Sequence, residues 1–277
     1  MGEDLDQPAV QAARAAGAAA QRVGVTVREL EQLNEMRTAI DLFCRVWNAD
    51  SPDQLINISI MRAMAHAGNY IVGAYRDGAM IGAVAAFLGP QHLHSHLAGV
   101  EPGGQGAGVG YVLKLHQRAW SLARGLPEVR WTFDPLIRRN AYFNLQKLGA
   151  CATGYLVDFY GPLEDGINVG DATDRLYVRW VLASPAAVEA AGGRPLEVPK
   201  SAASRLVEVP PDIEALRASD PRSAADWRYA VREALQRPMG EGWRIAGITR
   251  DGFYVLEPPP PCAGSTHPAG ETTKEEA

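Results

Sequence analysis

The stretch with the clearest chemical potential in this chain is E-P-G-G-Q-G-A-G-V-G at 101–110, which runs into an apolar-striped segment at 111–124. Gly106, Gly108 and Gly110 leave the main chain bare, so a ligand can approach it closely. A helix opening behind such a loop turns free N–H groups and the positive end of its dipole toward that ligand, which suits phosphate or pyrophosphate. The dinucleotide fingerprint G-x-G-x-x-G fails, because Tyr111 stands where the third glycine belongs. The G-K-[ST] of a P-loop is absent as well. What is present is Q-x-x-G-x-G at 105–110, preceded by V-E-P.

Acid–base candidates stand nearby. His92, His94 and His96 alternate along a strand-like run and so are expected on one face. Such a run can ligate metal or be a polar edge with one functional member; no metal is expected. His96 is nearest the loop and has the pKa range to take a proton from an incoming ammonium, with His94 beside it as a substrate contact. Asp134 closes V-R-W-T-F before Pro135, as a second base, an ammonium anchor or a turn aspartate. Asn140 opens a helical run, where an N-cap is its default role. Arg175 could fork onto a substrate carboxylate or pair with an acid near Asp174. Lys114, Gln117 and Arg118 recur at helical spacing and read as a solvated face, one member of which could touch a phosphate of the ligand. Trp120, Trp131, Trp180 and Trp227 read as core, and Cys151 as a small buried hydrophobe.

These residues need elements to place them. Strand patterns are expected at 25–30, 70–75, 80–88, 91–100, 129–133, 151–160 and 176–182, with Asp77-Gly78 as a hairpin turn. Helical patterns run over 31–47, 52–67 (Ser51 capping, Pro52 at N1), 111–124 and 140–148, the last two closed by Gly125 and Gly149. Two more strands at 205–209 and 252–256 flank a helix at 220–235. The expected organisation is a loose Ala-rich arm at 1–23, a main unit at 24–165, an α+β extension at 166–257 packed on its sheet, and a disordered tail at 258–277 that includes Cys262 and His267.

Composition bounds the function. The chain has 277 residues, 47% hydrophobic, with 27 basic and 32 acidic side chains and a net charge of −5. Mean hydropathy is −0.15. That balance fits a globular protein and gives no general attraction to nucleic acid or anionic membrane, so an anionic ligand needs a local site. Three cysteines form neither a disulfide framework nor a zinc spacing, and no run resembles a signal peptide or a spanning helix, so a cytoplasmic protein is expected.

The V-E-P…Q-x-x-G-x-G loop resembles the acyl-coenzyme A loop of the GNAT N-acetyltransferase superfamily, and the order of elements over 25–160 is similar to that fold. The stretches H-L-H-S-H-L-A-G-V (92–100), L-K-L-H-Q-R (113–118), W-T-F-D-P-L (131–136), N-A-Y-F-N-L-Q-K-L-G-A (140–150), D-F-Y-G (158–161), D-R-L (174–176), D-W-R (226–228) and Y-V-L-E (254–257) resemble a group of bacterial "predicted acetyltransferases" with a C-terminal extension. The resemblance implies an α/β fold, a mostly antiparallel mixed sheet flanked by helices. It implies an N-acyltransferase using acetyl-CoA or succinyl-CoA and a small amine such as an amino acid, by direct attack without a covalent acyl-enzyme. Main-chain N–H groups of Gln105, Gly106, Ala107, Gly108, Val109 and Gly110 would hold the pyrophosphate. Gly99 and Val100 would pair with the pantetheine arm, Val100 N–H would polarise the thioester carbonyl, and Asn140 would meet pantetheine amides. One departure stands out: Leu145 occupies the place, four residues before Gly149, where many such enzymes carry a tyrosine that protonates the leaving thiolate; Tyr142 is one turn earlier. The competing reading is a non-catalytic acyl-CoA-binding sensor.

Overall fold

A computed structural model describes residues 3–104, 106–162 and 171–259. Gln105 and the expected tail at 260–277, with Cys262 and His267, lie outside the described residues. The main sheet has seven strands in the order β1-β2-β3-β4-β5-β7-β6. These are β1 Thr26–Glu29, β2 Tyr70–Arg76, β3 Ala79–Leu88, β4 Leu93–Val100, β5 Glu128–Phe133, β6 Cys151–Leu156 and β7 Arg175–Val181. Every neighbouring pair is antiparallel except β4 and β5, which run parallel. The β2–β3 hairpin turns on Asp77 and Gly78, both at positive φ (50° and 80°), as a two-residue turn of matching twist requires.

Helices cover the sheet on both faces. On one side α2 (Leu33–Trp47) and α3 (Ile58–His66) bury Met36, Phe43 and Met61 against Ile71, Ala83, Ala85 and Leu97. The run expected as one helix from Pro52 is split: a single 3₁₀ turn at Pro52–Gln54, then α3 capped by Asn57. On the other side lies α4 (Val109–Ala123), whose Val112, Leu113 and Leu115 join the larger core with Tyr70, Val84, Val129 and Trp180.

Two expectations about organisation are corrected. The supposed loose arm is α1 (Glu3–Val23), laid along α4. Its buried stripe is Ala12, Ala16 and Ala19, at i, i+4 and i+7; small side chains let two helices approach without any large apolar residue to announce it. The division near residue 165 also fails, because β7 inserts between β5 and β6 in the main sheet. The extension proper follows β7: α6 (Pro185–Ala190), α7 (Ile213–Ser219), α8 (Pro221–Gly240) and a second sheet ordered β8-β10-β9 from Arg205–Glu208, Phe253–Glu257 and Arg244–Ile248. β9 went unforeseen. Its Gly247 leaves room for Gln146, whose Oε1 accepts the Ile248 N–H at 3.0 Å and ties the extension to the main unit.

After β5 the chain forms α5 (Arg138–Tyr142) and a π-helical turn at Phe143–Lys147, closed by a Leu148 N–H to Phe143 carbonyl bond. Asn140 is the third residue of α5 and does not cap it, which corrects its expected N-cap role.

Candidate functional site

The parallel pair β4–β5 is short. It has two register pairs, Leu93 with Val129 and His94 with Arg130, after which the strands part. A β-bulge in β4 lies at the same point: Ala85 pairs Leu97 while Ala86 pairs Ser95, so His96 is the extra residue. Before the bulge Leu93 and Ser95 face α4; beyond it Leu97 and Gly99 face α2, against Trp47 and Val46. The bulge therefore re-aims the rest of β4 at the point where the fork opens.

Beyond the fork β4 keeps one partner. Glu101 N–H donates to Ile81 of β3 at 2.9 Å. By strand alternation, Gly99 turns its N–H and C=O toward β3, while Ala98 and Val100 turn theirs into the opening. Val100 thus presents a main-chain donor to the fork. Gly99 does not; its missing side chain admits α2 instead.

The glycine loop closes this opening at its wide end. Gly106 and Gly108 both adopt φ near +85°, which side chains resist. A Cβ on Gly106 would meet nothing within 4 Å and one on Gly110 only Val100 at 3.7 Å, whereas one on Gly108 would meet Val23 of α1 at 3.0 Å, so the cradle is open at Gly106 and Gly110 and packed by α1 at Gly108. Gly108 is the N-cap of α4 and offers no side-chain acceptor, which leaves the first-turn N–H groups for a ligand. Glu101, the nearby acid, is drawn off by Arg45 of α2 through two bonds at 2.7 and 2.9 Å. Arg22, in the last turn of α1, lies close enough to Tyr111 to lower its pKa against the larger effect of burial, with its guanidinium beside Gly193 and the Tyr111 hydroxyl donating to the Ala190 carbonyl at 2.6 Å.

The three histidines do not all share one face: His92 packs over Gly89 in the β3–β4 turn, while His94 and the bulged His96 stay side by side, ring centroids 6.4 Å apart. Among the described residues no group of three His, Cys, Asp or Glu could hold a metal ion. His94 stacks on Phe87, ring centroids 4.8 Å apart, and His96 lies 5.9 Å from the same ring. Desolvation, with the nearby His96, His92 and Lys114, lowers the His94 pKa to about 4. Desolvation lowers that of His96 as well. Both rings are therefore neutral near pH 7, and His96, exposed at the rim, can accept a proton.

Lys114 was expected in water and is not. With Gln117 and Arg118 it faces inward, because α4 is sandwiched between α1 and the sheet. Its Nζ donates to Ser95 Oγ at 3.0 Å and Gln117 Oε1 at 3.1 Å, and sits 4.0 Å from the centroid of the Trp131 ring. Arg118 donates to the Leu182 carbonyl at 2.7 Å.

Asp134 and Arg175 are corrected more sharply. Asp134 is sealed under α7 and α8, bonded by Arg228 at 2.8 and 2.9 Å and by Arg217 at 2.5 Å. Burial pushes its pKa up, but these guanidinium groups overcome it and hold the carboxyl far below its usual range, so it is no base for an ammonium. Arg175 is buried too, with its guanidinium carbon 5.3 Å from the centre of the Tyr160 ring and donating to the Asp174 carbonyl, so it is not presented to a substrate. Leu145 lies in the core, and the Tyr142 hydroxyl accepts from Arg250 of the extension at 3.3 Å. Tyr142 lines a cavity of about 710 Å³ with Ile137, Arg139, Ile213 and Arg250. Cys151, expected to be buried, is exposed on β6.

No family model matches the chain, and no curated protein matches it. Solved structures do resemble it. The ribosomal-protein alanine N-acetyltransferase of Escherichia coli is 13% identical and covers 58% of this chain and 95% of its own, with a TM-score of 0.47. A Desulfovibrio desulfuricans protein assigned to the GNAT acetyltransferases is 16% identical over 57% of this chain and 99% of its own, TM-score 0.46. An aminoglycoside 6′-acetyltransferase of type Ii is 17% identical over 57% and 98%, TM-score 0.46. No described helix is long and apolar enough to cross a membrane.

Proposed function

We propose that this chain is a GNAT-type N-acyltransferase that moves an acyl group from acyl-CoA to the amine of a small molecule such as an amino acid. The observation that carries the reading is the juxtaposition of a parting parallel strand pair with a positive-φ glycine loop at the N-terminus of α4. A pyrophosphate fits the cradle at 106–110, where Gly108, Val109 and Gly110 at the start of α4 have N–H groups without intrahelical partners while the Ala107 N–H is taken by the Gly104 carbonyl, and an extended amide-bearing arm fits the unpaired edge of β4 at Ala98 and Val100. Val100 N–H is then a donor for the thioester carbonyl oxygen; where such donors have been removed elsewhere the cost is about 2.7–4 kcal/mol. The amine attacks directly, and neutral His96 takes its proton. Holding amine and thioester together supplies much of the acceleration, up to about 7–11 kcal/mol.

The sensor reading keeps one point in its favour, the burial of Leu145 and the commitment of Tyr142 to Arg250. Release of free thiol from acetyl-CoA or succinyl-CoA across a panel of amines decides for the enzyme; tight binding without release decides for the sensor. Coenzyme binding itself is tested by thermal shift with CoA, acetyl-CoA and succinyl-CoA. Gly110→Glu has ordinary helical backbone and room for its Cβ, so it should fold while placing a carboxylate in the cradle. The expected result is at least about a hundredfold weaker binding, about 2.7 kcal/mol; an unchanged midpoint shift in the folded variant overturns the loop assignment.

A further inference from the structure

We propose that Lys114 is the acid that returns a proton to the departing thiolate, with Ser95 as its relay, in place of the tyrosine this chain lacks. This rests on the acyl-CoA reading above. The group must lie where the strands part, and Lys114 does. Ser95 is the first residue of β4 beyond its last register pair with β5, and Trp131 is the first of β5. The Lys114 nitrogen touches both, 3.0 Å from Ser95 Oγ and 4.0 Å from the Trp131 ring centroid, so it forms the floor of the fork on the α4 side.

An acid must also tolerate losing its proton, and here every partner serves both states. As an ammonium Lys114 donates to Ser95 Oγ and Gln117 Oε1 with the Trp131 face beneath it. As an amine it accepts the Ser95 O–H and still donates to Gln117. Gln117 Nε2 reaches Ser95 Oγ at 3.2 Å and keeps the hydroxyl in line. No carboxylate among the described residues forms an ion pair with Lys114 to fix its charge. His94, from β4, is the titratable side chain that feels its charge, while His116 and Arg118 on α4 are engaged by Tyr70 and Leu182. In the free protein burial lowers the Lys114 pKa to about 7, so its ammonium parts with a proton readily, while a thiolate formed beside it and the ammonium stabilise each other's charge.

The step balances. The C–S bond breaks and its electron pair goes to sulfur. Ser95 passes its hydroxyl proton to sulfur as it receives one from Lys114, giving CoA–SH and a neutral lysine. The acceptor nitrogen forms its bond to the acyl carbon and sheds its surplus proton to His96 on the opposite side. Solvent then clears His96 and recharges Lys114.

The test needs no known acceptor. The full chain, saturated with CoA, is titrated by the ultraviolet absorbance of the thiolate. With the Lys114 cation beside sulfur, the bound thiol should ionise at least about one pH unit below free CoA, and Lys114→Met should return it to the free value or above. A wild-type thiol that titrates like free CoA, or a shift that survives Lys114→Met, overturns the proposal. Lys114→Gln repeats the measurement should the methionine variant not fold, and the wild-type shift decides by itself. For any amine that turns over, Lys114→Met should lower kcat with acetyl-CoA by about 30-fold or more, yet have little effect with S-acetyl-4-nitrothiophenol, whose acidic thiol leaves unaided; equal losses with both donors contradict an acid role. Failure of CoA to bind at all defeats the acyl-CoA reading, whereas binding with an unshifted thiol defeats this proposal alone.

Discussion

Asp134 and Lys114 are both ionisable, both nearly sealed from water and both packed on the same sheet, yet their surroundings treat charge in opposite ways. Asp134 belongs to a closed network. Arg228 and Arg217 each bond it and also bond Asp171, while Asp174 takes two bonds from Arg232 at 2.8 Å and one from the Tyr155 hydroxyl at 2.7 Å. Burial disfavours the charge of Arg228, but Asp134 and Asp171 outweigh it and raise its pKa. Every charge there is fixed by an opposite one. Among the described residues Lys114 is met by a hydroxyl, an amide and a ring. A locked charge holds structure together; a charge with neutral partners can change state at little cost, which is what chemistry requires.

The largest effect should come from breaking the closed network. Arg228→Met leaves Asp134 and Asp171 with half their countercharge in a dry site, and a loss of about 3–5 kcal/mol is expected in urea unfolding. A loss below about 1 kcal/mol would mean that water reaches Asp134, and the contrast with the fork would dissolve.

That network explains what the sequence could not convey. Asp134 reads as a candidate base because a carboxylate at a strand's end beside a proline is locally ambiguous. The residues that settle its role, Arg217 and Arg228, lie 83 and 94 positions further along the chain. Lys114 is misread for a related reason. K-x-x-Q-R at helical spacing looks like a wet stripe, and only the packing of α1 on the far side of α4 turns it toward the sheet. The alanines that do this carry almost no hydropathy signal. The glycine loop, by contrast, is legible from its own ten residues, since positive φ and bare main chain are local demands. The β2–β3 hairpin is legible on the same grounds, and most strands by alternation. The insertion of β7 between β5 and β6 is a matter of long-range pairing and leaves no local mark.

On the fork's open side His96 offers a second comparison, with a group that meets solvent directly. His96→Gln should lower kcat/KM about a hundredfold. Because desolvation lowers its pKa from the ordinary imidazole value, the wild-type rate should fall on the acid side as His96 is protonated, and fall again above about pH 7 as Lys114 loses its proton; His96→Gln should remove the acid limb and leave the alkaline one. A variant with wild-type rate at all pH values would show that the amine sheds its proton straight to water.

The pH dependence of stability sharpens the contrast most, because it reads the Lys114 charge without substrate. Burial sets its folded pKa at about 7, against about 10.4 in an unfolded chain. Between those values the unfolded state holds more protons, so stability rises with pH across that window, by at most about 1.4 kcal/mol per pH unit. Below about pH 7 both states are protonated, and the cost of the buried ammonium is present in full. The wild type should therefore gain on Lys114→Met as pH climbs from about 7 toward 10, measured as the difference between paired urea curves so that other groups cancel. Over the same range the difference between wild type and Arg228→Met should stay level, since Asp134 titrates far lower. A level Lys114 difference would mean that the ammonium stays charged throughout, held by something other than Ser95, Gln117 and Trp131, and the fork would then be as locked as the network beside it.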